Sequence, residues 1–182
     1  MKNYQDSSIK YFIGNLALTG WVQIFYFITW YKFISIGKIV EVLKMKRYEM
    51  IDHTADIGIK VFGKDIKEIF SNAGYAMFDI LTDPKKIEKK EIFNIQVSAN
   101  NIEELLVKWL DELLYRYETE RVIFNEFIID KISDTEINST VYGERIDHRR
   151  HEIKTEIKNV TYHQLQVKKT DKGWEAQVIF DV

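Results

Sequence analysis

Two stretches of the chain repeat apolar residues at the spacing of an amphipathic helix. The first covers residues 66–80 and follows Asp65, a residue type that caps helix N-termini. The second covers residues 102–117 and follows Asn100 or Asn101, either of which can cap it. We therefore predict two helices, each with one face packed on a hydrophobic core.

Alternation of apolar and polar residues, which indicates half-buried strands, marks most of the remaining chain. The predicted strands cover residues 47–53, 57–62, 91–99, 122–132, 135–143, 160–169 and 174–182. Polar turn residues at 133–134 and 171–173 predict that the last four strands form two hairpins. The expected fold class is α+β: a two-layer single domain with a mostly antiparallel sheet of about six to seven strands.

The composition changes near residue 44, which predicts a domain over residues 45–182. Residues 11–36 are mostly apolar and aromatic and are long enough for a membrane span, although polar residues interrupt them. Residues 1–44 then have three interpretations: an extension from a misassigned start, a membrane or interface anchor, or a cleaved signal. We favour the extension, because Met45 and the residues after it read as a natural protein start.

Charge and cysteine content restrict the class of protein further. The chain has no Cys, which excludes disulfides and thiolate chemistry and fits a reducing compartment, so we expect a cytoplasmic protein. The formal net charge is -2, and residues 45–182 contain more acidic than basic residues. Binding of nucleic acid through bulk electrostatics is therefore not expected.

Two carboxylates stand near opposite ends of the predicted domain. Asp56 precedes the strand at 57–62, and Asp181 is the penultimate residue of the chain. If the fold brings them together with the terminal carboxylate, their repulsion favours a bound hard cation such as Ca²⁺, Mg²⁺ or Mn²⁺. The structural alternatives are a turn carboxylate for Asp56 and a solvated chain end for Asp181.

Common catalytic signatures do not occur in the sequence. There is no P-loop, dinucleotide-binding glycine pattern, nucleophile elbow or zinc-binding helix motif. Of the four histidines, His148 and His151 lie in the highly charged stretch 144–158, which we interpret as a solvated loop. The sequence thus points away from a nucleophilic enzyme and towards a binding protein.

Several motifs in the same order resemble the archease family over residues 45–182. They are residues 45–59, Ala76-Met77-Phe78, residues 105–114, Tyr142-Gly143-Glu144, Val160-Thr161-Tyr162-His163 and Phe180-Asp181-Val182. Residues 1–44 have no counterpart in the family. The resemblance implies an accessory protein, not an enzyme, that activates an RtcB-type RNA ligase in tRNA splicing. Such a protein promotes guanylylation and multiple turnover of the ligase and broadens its use of nucleotides.

The resemblance also implies a divalent-cation site formed by Asp56, Asp181 and the main-chain oxygen of Val182, with Ca²⁺ the expected ion in structures. The implied partner is the RtcB-type ligase, and RNA is contacted only through it. A membrane contact would involve residues 11–36 alone. The alternative function is a metal-dependent phosphodiester hydrolase that uses the Asp56 and Asp181 site.

Five further residues are candidates for the rim of this site or for a contact with the ligase. His53, Tyr162 and His163 are placed near the site by their motifs, whereas His151 and Lys158 belong to the charged stretch. Each has a structural alternative: a local turn for His53, a packed strand pair for Tyr162 and His163, and a solvated strand face for the others.

Overall fold

The described part of the chain, residues 46–52 and 56–182 of a computed structural model, folds into seven strands and two α-helices. In chain order these elements are β1 (Tyr48–Asp52), β2 (Ile57–Gly63), α1 (Ile66–Leu81), β3 (Glu91–Ser98), α2 (Ile102–Glu120), β4 (Val122–Ile132), β5 (Glu136–Arg145), β6 (Asn159–Thr170) and β7 (Gly173–Asp181). The proposed extension, its apolar stretch 11–36 and His53 lie outside the described residues. Among the described helices, none has the length and apolar character needed to cross a membrane.

Both helices begin at the capping residues that the sequence predicts. The Asp65 carboxylate accepts the Glu68 N–H at 2.9 Å, and the Asn101 side chain accepts the Glu104 N–H at 2.8 Å. Each bond satisfies an N–H that has no partner within the first helical turn. Helix α2 ends at Arg121, which adopts the left-handed conformation with φ 58°.

The seven strands form two antiparallel sheets. The first sheet has the order β1-β2-β7-β6, and the second has the order β3-β5-β4. The α+β class, the two main helices and both predicted hairpins are confirmed. The division into two sheets is a finding of the structure, because alternation along a strand does not reveal which strand lies beside it.

The helices join the two sheets through a continuous core. Helix α1 contacts β2 of the first sheet and β4 of the second, while α2 contacts β6 and β3. Aromatic rings fill the space between them: Trp109 lies 5.8 Å from Phe70 and 6.0 Å from Phe127, measured between ring centroids. This core holds β2, near the start of the domain, beside β7, the last strand.

The connection between β5 and β6, residues 146–158, is held against the domain rather than extending freely into solvent. The Lys154 N–H donates to the carbonyl of Leu81 at 2.8 Å, and Ile157 is buried. His151 is also buried, at 2% exposure, although the charged composition predicts a solvated loop. The apolar residues and His151 bury one side of this segment, and its charged residues Lys154, Glu156 and Lys158 remain exposed.

Candidate metal site at the end of the first sheet

The pairing of β2 with β7 places the two predicted acidic ligands at the same end of the first sheet. Ile57 pairs with Phe180 in an antiparallel register, so Asp56 and Asp181 both lie one position beyond this pair, at the same end of the ladder. Neighbouring strands lie about 4.7–4.9 Å apart, which brings residues at adjoining positions close together. Residues at opposite ends of the predicted domain are therefore neighbours in the fold.

Strand alternation places the Asp181 side chain on the face of β7 opposite to Phe180, and Asp56 immediately precedes β2. Phe180 is fully buried and Ile57 packs against the core, and successive side chains of a strand point to opposite faces. Asp181 follows Phe180, and Asp56 precedes Ile57. On the other side of β7, Asp181 pairs with Asn159 of β6, so the row across the sheet end carries side-chain oxygens.

The third predicted ligand, the main-chain oxygen of Val182, accepts a hydrogen bond from a cationic side chain. The Lys158 ammonium donates to it at 2.9 Å. The Lys158 main-chain N–H donates to the carbonyl of Asp181, also at 2.9 Å. The side chain of Val182 packs against the hydrophobic core, which fixes the position of its backbone.

The donors at this sheet end suit a hard cation. They are carboxylate and main-chain oxygens, the ligand types that Ca²⁺ and Mg²⁺ prefer. One of these oxygens already attracts a positive charge, the Lys158 ammonium. Over the described residues no group of three or more His, Cys, Asp and Glu side chains is close enough to hold a metal ion. A metal at this end of the sheet would therefore depend on the Val182 main-chain oxygen in addition to the two aspartates.

Strand β6 contains a wide bulge beside this sheet end, and the bulge carries two of the candidate rim residues. Thr161 pairs with Ile179 and Gln166 with Gln177, so residues 162–165 lie opposite Val178 alone. Within the bulge Gln164 has a φ of 52°, and the Tyr162 side chain is 59% exposed. His163, also exposed, donates its N–H to the Thr161 hydroxyl at 3.3 Å. The packed strand pair considered for these residues does not form here.

Asp111 of α2 is a carboxylate near β6 that the sequence does not single out as a site residue. Burial raises the pKa of Asp111 to about 6, and a hydrogen bond from the main-chain N–H of Val160 opposes that rise. Val160 stands directly after Asn159, the residue paired with Asp181. The sequence signals for it are its place beside the apolar stripe of α2 and within the family-like motif of residues 105–114.

A second acidic centre, remote in sequence from Asp56 and Asp181, surrounds the buried carboxylate of Glu144. This carboxylate accepts the Glu88 N–H and the Lys90 ammonium, each at 2.7 Å, and it contacts the Arg150 guanidinium. Burial would raise the pKa of Glu144, but hydrogen bonds from Lys90, the Glu88 N–H and Arg150 together lower it to about 2. The cluster therefore holds an ionised carboxylate in the interior.

His151 belongs to this Glu144 cluster, so its position does not suit a contact with another protein. Its Nδ1 accepts the Asp147 N–H at 3.0 Å, which leaves Nε2 to carry the proton of the neutral ring. Nε2 lies 3.2 Å from a Glu144 oxygen, but outside hydrogen-bond geometry. The charged neighbours of His151 in the sequence predict exposure, whereas the ring is buried and its Nδ1 is held by the Asp147 N–H.

The sequence that forms this fold matches a known protein family. Residues 48–182 match the family model described as the Archease protein family (MTH1598/TM1083). "Protein archease" of Methanosarcina barkeri is 43% identical over 141 residues, which cover 75% of this chain and 97% of that relative. "Protein archease" of Pyrococcus abyssi is 38% identical over 143 residues, covering 76% of this chain and all of that relative.

Solved structures agree with these relatives. The solution structure of Methanobacterium thermoautotrophicum Protein 1598 has a TM-score of 0.64 and 35% identity, and covers 76% of this chain and 100% of its own. The crystal structure described as "an archease, possible chaperone" from Thermotoga maritima has a TM-score of 0.53 over 74% of this chain and 96% of its own. Its 20% identity supports the fold alone. The chain belongs to the archease family.

Proposed function

We propose that this protein is an accessory factor that activates an RtcB-type RNA ligase in tRNA splicing, with no chemistry of its own. Membership of the archease family supports the proposal. In this role it promotes guanylylation of the ligase, sustains multiple turnover and broadens nucleotide use. The ligase is its protein partner, and RNA is reached only through the ligase.

The observation that carries the proposal furthest is the register of β2 and β7. It sets Asp56 and Asp181 both one position beyond the Ile57–Phe180 pair, at the sheet end where Val182 follows Asp181. These three residues would hold a divalent cation, for which Ca²⁺, Mg²⁺ and Mn²⁺ are candidates. When bound, the cation would supply positive charge for the activation step on the ligase, where phosphate charge must be neutralised.

The protein residues have separate tasks in this proposal. The buried side chain of Phe180 fixes the end of β7, and the packed side chain of Val182 fixes the oxygen that follows it. The exposed Tyr162 and His163 on the neighbouring bulge stand where a protein partner could reach them together with the acidic sheet end. Packing thus anchors the β7 side of the site, and the edge of the site is accessible.

A ligation assay with the cognate ligase tests the proposal directly. Asp56→Asn and Asp181→Asn should each reduce stimulation of ligation to nearly the level of the ligase alone. Asp171→Asn is a matched control, because Asp171 is exposed in the turn at the opposite end of the same sheet. It should stimulate like the wild type.

Two results would contradict the proposal. Full stimulation of ligation by both site variants would show that Asp56 and Asp181 are not required for activation of the ligase. Turnover of a phosphodiester by the purified protein alone, abolished by a chelator, would instead favour the metal-dependent hydrolase. A separate assay measures guanylylation of the ligase as the transfer of labelled nucleotide to it. This assay distinguishes an effect on activation of the ligase from an effect on ligation.

A further inference from the structure

The Lys158 side chain has an unusual position, because it donates to one of the oxygens proposed to bind the cation. Its ammonium lies 2.9 Å from the main-chain oxygen of Val182. This inference rests on the cation site of the proposed function. A charge-assisted bond of this kind gives the oxygen the positive neighbour that a metal ion would otherwise provide.

The backbone of Lys158 is fixed independently of its side chain. Its N–H donates to the Asp181 carbonyl at 2.9 Å, and the preceding residue, Ile157, is 2% exposed in the core. The side chain, by contrast, is exposed and has a flexible four-carbon stem. The ammonium can therefore leave the oxygen without any rearrangement of β6 or β7.

We infer that the Lys158 ammonium is an internal counter-cation that competes with a divalent cation for the Val182 oxygen and is displaced when that cation binds. An ammonium and a divalent ion on the same oxygen repel each other strongly, since their separation is only a few ångströms. Binding of the metal ion and of the Lys158 ammonium to the Val182 oxygen is therefore competitive. Each lowers the apparent affinity of the oxygen for the other.

Lys154 provides a matched control on the same connecting segment. Its side chain is also exposed, and its ammonium also donates to a main-chain oxygen, that of Asp79, at 3.0 Å. Asp79 belongs to helix α1 and not to the β2–β7 end of the first sheet. Removal of either lysine changes the net charge equally, but only Lys158 contacts a proposed metal ligand.

Calorimetric titration of the full-length protein with CaCl₂ at physiological salt tests the inference. Lys158→Met should bind Ca²⁺ roughly tenfold more tightly than the wild type, because the competing charge is gone. Lys154→Met should bind within about twofold of the wild type, because the Lys154 ammonium bonds Asp79 and no proposed metal ligand. Asp181→Asn should abolish binding, which establishes that the heat comes from this site.

A second measurement uses the wild-type protein and needs no variant to fold. Acetylation of lysines by an amine-reactive ester, quantified for each residue by mass spectrometry, should be faster at Lys158 after Ca²⁺ is added. The rate at Lys154 should stay constant. Lys158→Gln replaces the methionine variant in the titration if the latter is not folded by circular dichroism.

The outcomes separate this inference from the proposed function. If Lys158→Met binds Ca²⁺ no more tightly than the wild type, or if Ca²⁺ leaves the acetylation rate at Lys158 unchanged, the inference is overturned. The proposed function is then still decided separately, by the ligase assay of the Asp56 and Asp181 variants. Absence of any Ca²⁺ binding to the wild type overturns the inference and the metal site together. Ligase stimulation that survives in that case would show an accessory role without a metal.

Discussion

Glu144 differs from the pair Asp56 and Asp181 in its exposure to solvent, although all three carboxylates belong to one domain. The carboxylate of Glu144 is almost inaccessible and is contacted by Lys90, Arg150 and a main-chain N–H. The two aspartates are half-buried at an accessible sheet end, where the Lys158 ammonium donates to the Val182 main-chain oxygen.

This difference separates a carboxylate used for folding from carboxylates suited to binding. Where the protein itself neutralises an interior carboxylate, removing that charge loses several charge-assisted hydrogen bonds at a site shielded from water, which is costly. Where acids gather at an accessible edge, an external cation can supply the balancing charge. Four predictions, from the largest expected effect to the smallest, test this contrast.

The largest effect is expected from Glu144→Gln. The variant should lower the free energy of unfolding by about 3 kcal/mol at pH 7, because it leaves Lys90 and Arg150 beside an uncharged amide. Urea denaturation measures the loss. Glu91→Gln is the control, since its carboxylate is 40% exposed and lies 3.8 Å from Arg145. Such surface pairs contribute at most about 1 kcal/mol.

The difference in stability between the wild type and Glu144→Gln should also depend on pH. The pKa of Glu144 is lowered to about 2 from its ordinary value of 4.5. Its stabilising contribution is therefore complete above pH 4.5 and is lost as the pH falls towards 2. The difference in unfolding free energy between the wild type and Glu144→Gln should shrink over that range. A difference that stayed constant would rule out an ionised Glu144 as the source of the stability.

The second prediction concerns the sheet end. Saturating Ca²⁺ should stabilise the wild type by about 2.7 kcal/mol at a free concentration one hundred times the Kd. Asp56→Asn and Asp181→Asn should lose this gain while keeping nearly the same stability without metal. Thermal unfolding with and without CaCl₂ measures both quantities. The Asp171→Asn control should be stabilised by Ca²⁺ as much as the wild type. If Asp181→Asn were stabilised to the same extent, the ion would bind elsewhere.

The third prediction concerns Asp111, whose pKa is raised to about 6 from its ordinary value of 3.8. The protonated form is favoured in the folded state, so its contribution is present below pH 3.8 and is lost as the pH rises through 6. Asp111→Asn should therefore be more stable than the wild type at pH 7 by ~1 kcal/mol, an amount reduced for solvent screening of a partly exposed group.

Asp111→Asn can be compared with Glu118→Gln, which removes an exposed acid from the same helix. The gain of the Asp111 variant should disappear near pH 3.5, where the wild-type carboxyl group is protonated in both states. Chemical denaturation at pH 7 and pH 3.5 measures this. Equal stability of the Asp111 variant and the wild type at pH 7 would contradict the desolvation of Asp111.

The smallest effect is expected in the bulge of β6. Gln164 has a φ of 52°, which favours glycine, although its side chain accepts a hydrogen bond from Gln177 at 3.1 Å. Gln164→Gly should raise the unfolding free energy by ~0.5 kcal/mol. Gln166→Gly, at a regularly paired strand position, should lower it by ~0.5–1 kcal/mol. A loss in both variants would mean that the side-chain bond outweighs the backbone strain.

Local patterns in the sequence were sufficient for the elements themselves. Asp65 and Asn101 identify the helix starts because their side chains accept early helical N–H groups, a contact that involves only a few neighbouring residues. The turn at residues 171–173 predicts the hairpin of β6 and β7 for the same reason. Interactions within a few residues depend little on the rest of the fold.

Contacts between distant segments could not be predicted in this way. In β6, regular pairing with β7 stops after Thr161 and resumes at Gln166, which pairs with Gln177. The alternation of apolar and polar residues in β6 does not predict this four-residue interruption. The charged neighbours of His151 in the sequence predict a solvated ring, yet the ring is buried, with Nε2 3.2 Å from a Glu144 oxygen on another element. Burial of a charge depends on which partners the whole chain brings to it.

By itself, the sequence determined the fold class, the positions of the helices and hairpins, and the acids at opposite ends of the domain. It also carried the motifs of the archease family. Only the tertiary structure decided that β2 and β7 are neighbours, and hence that Asp56, Asp181 and the Val182 oxygen adjoin Lys158. The physical reason is that strand pairing is a long-range choice, set by burial of Phe180 and its neighbours in a shared core.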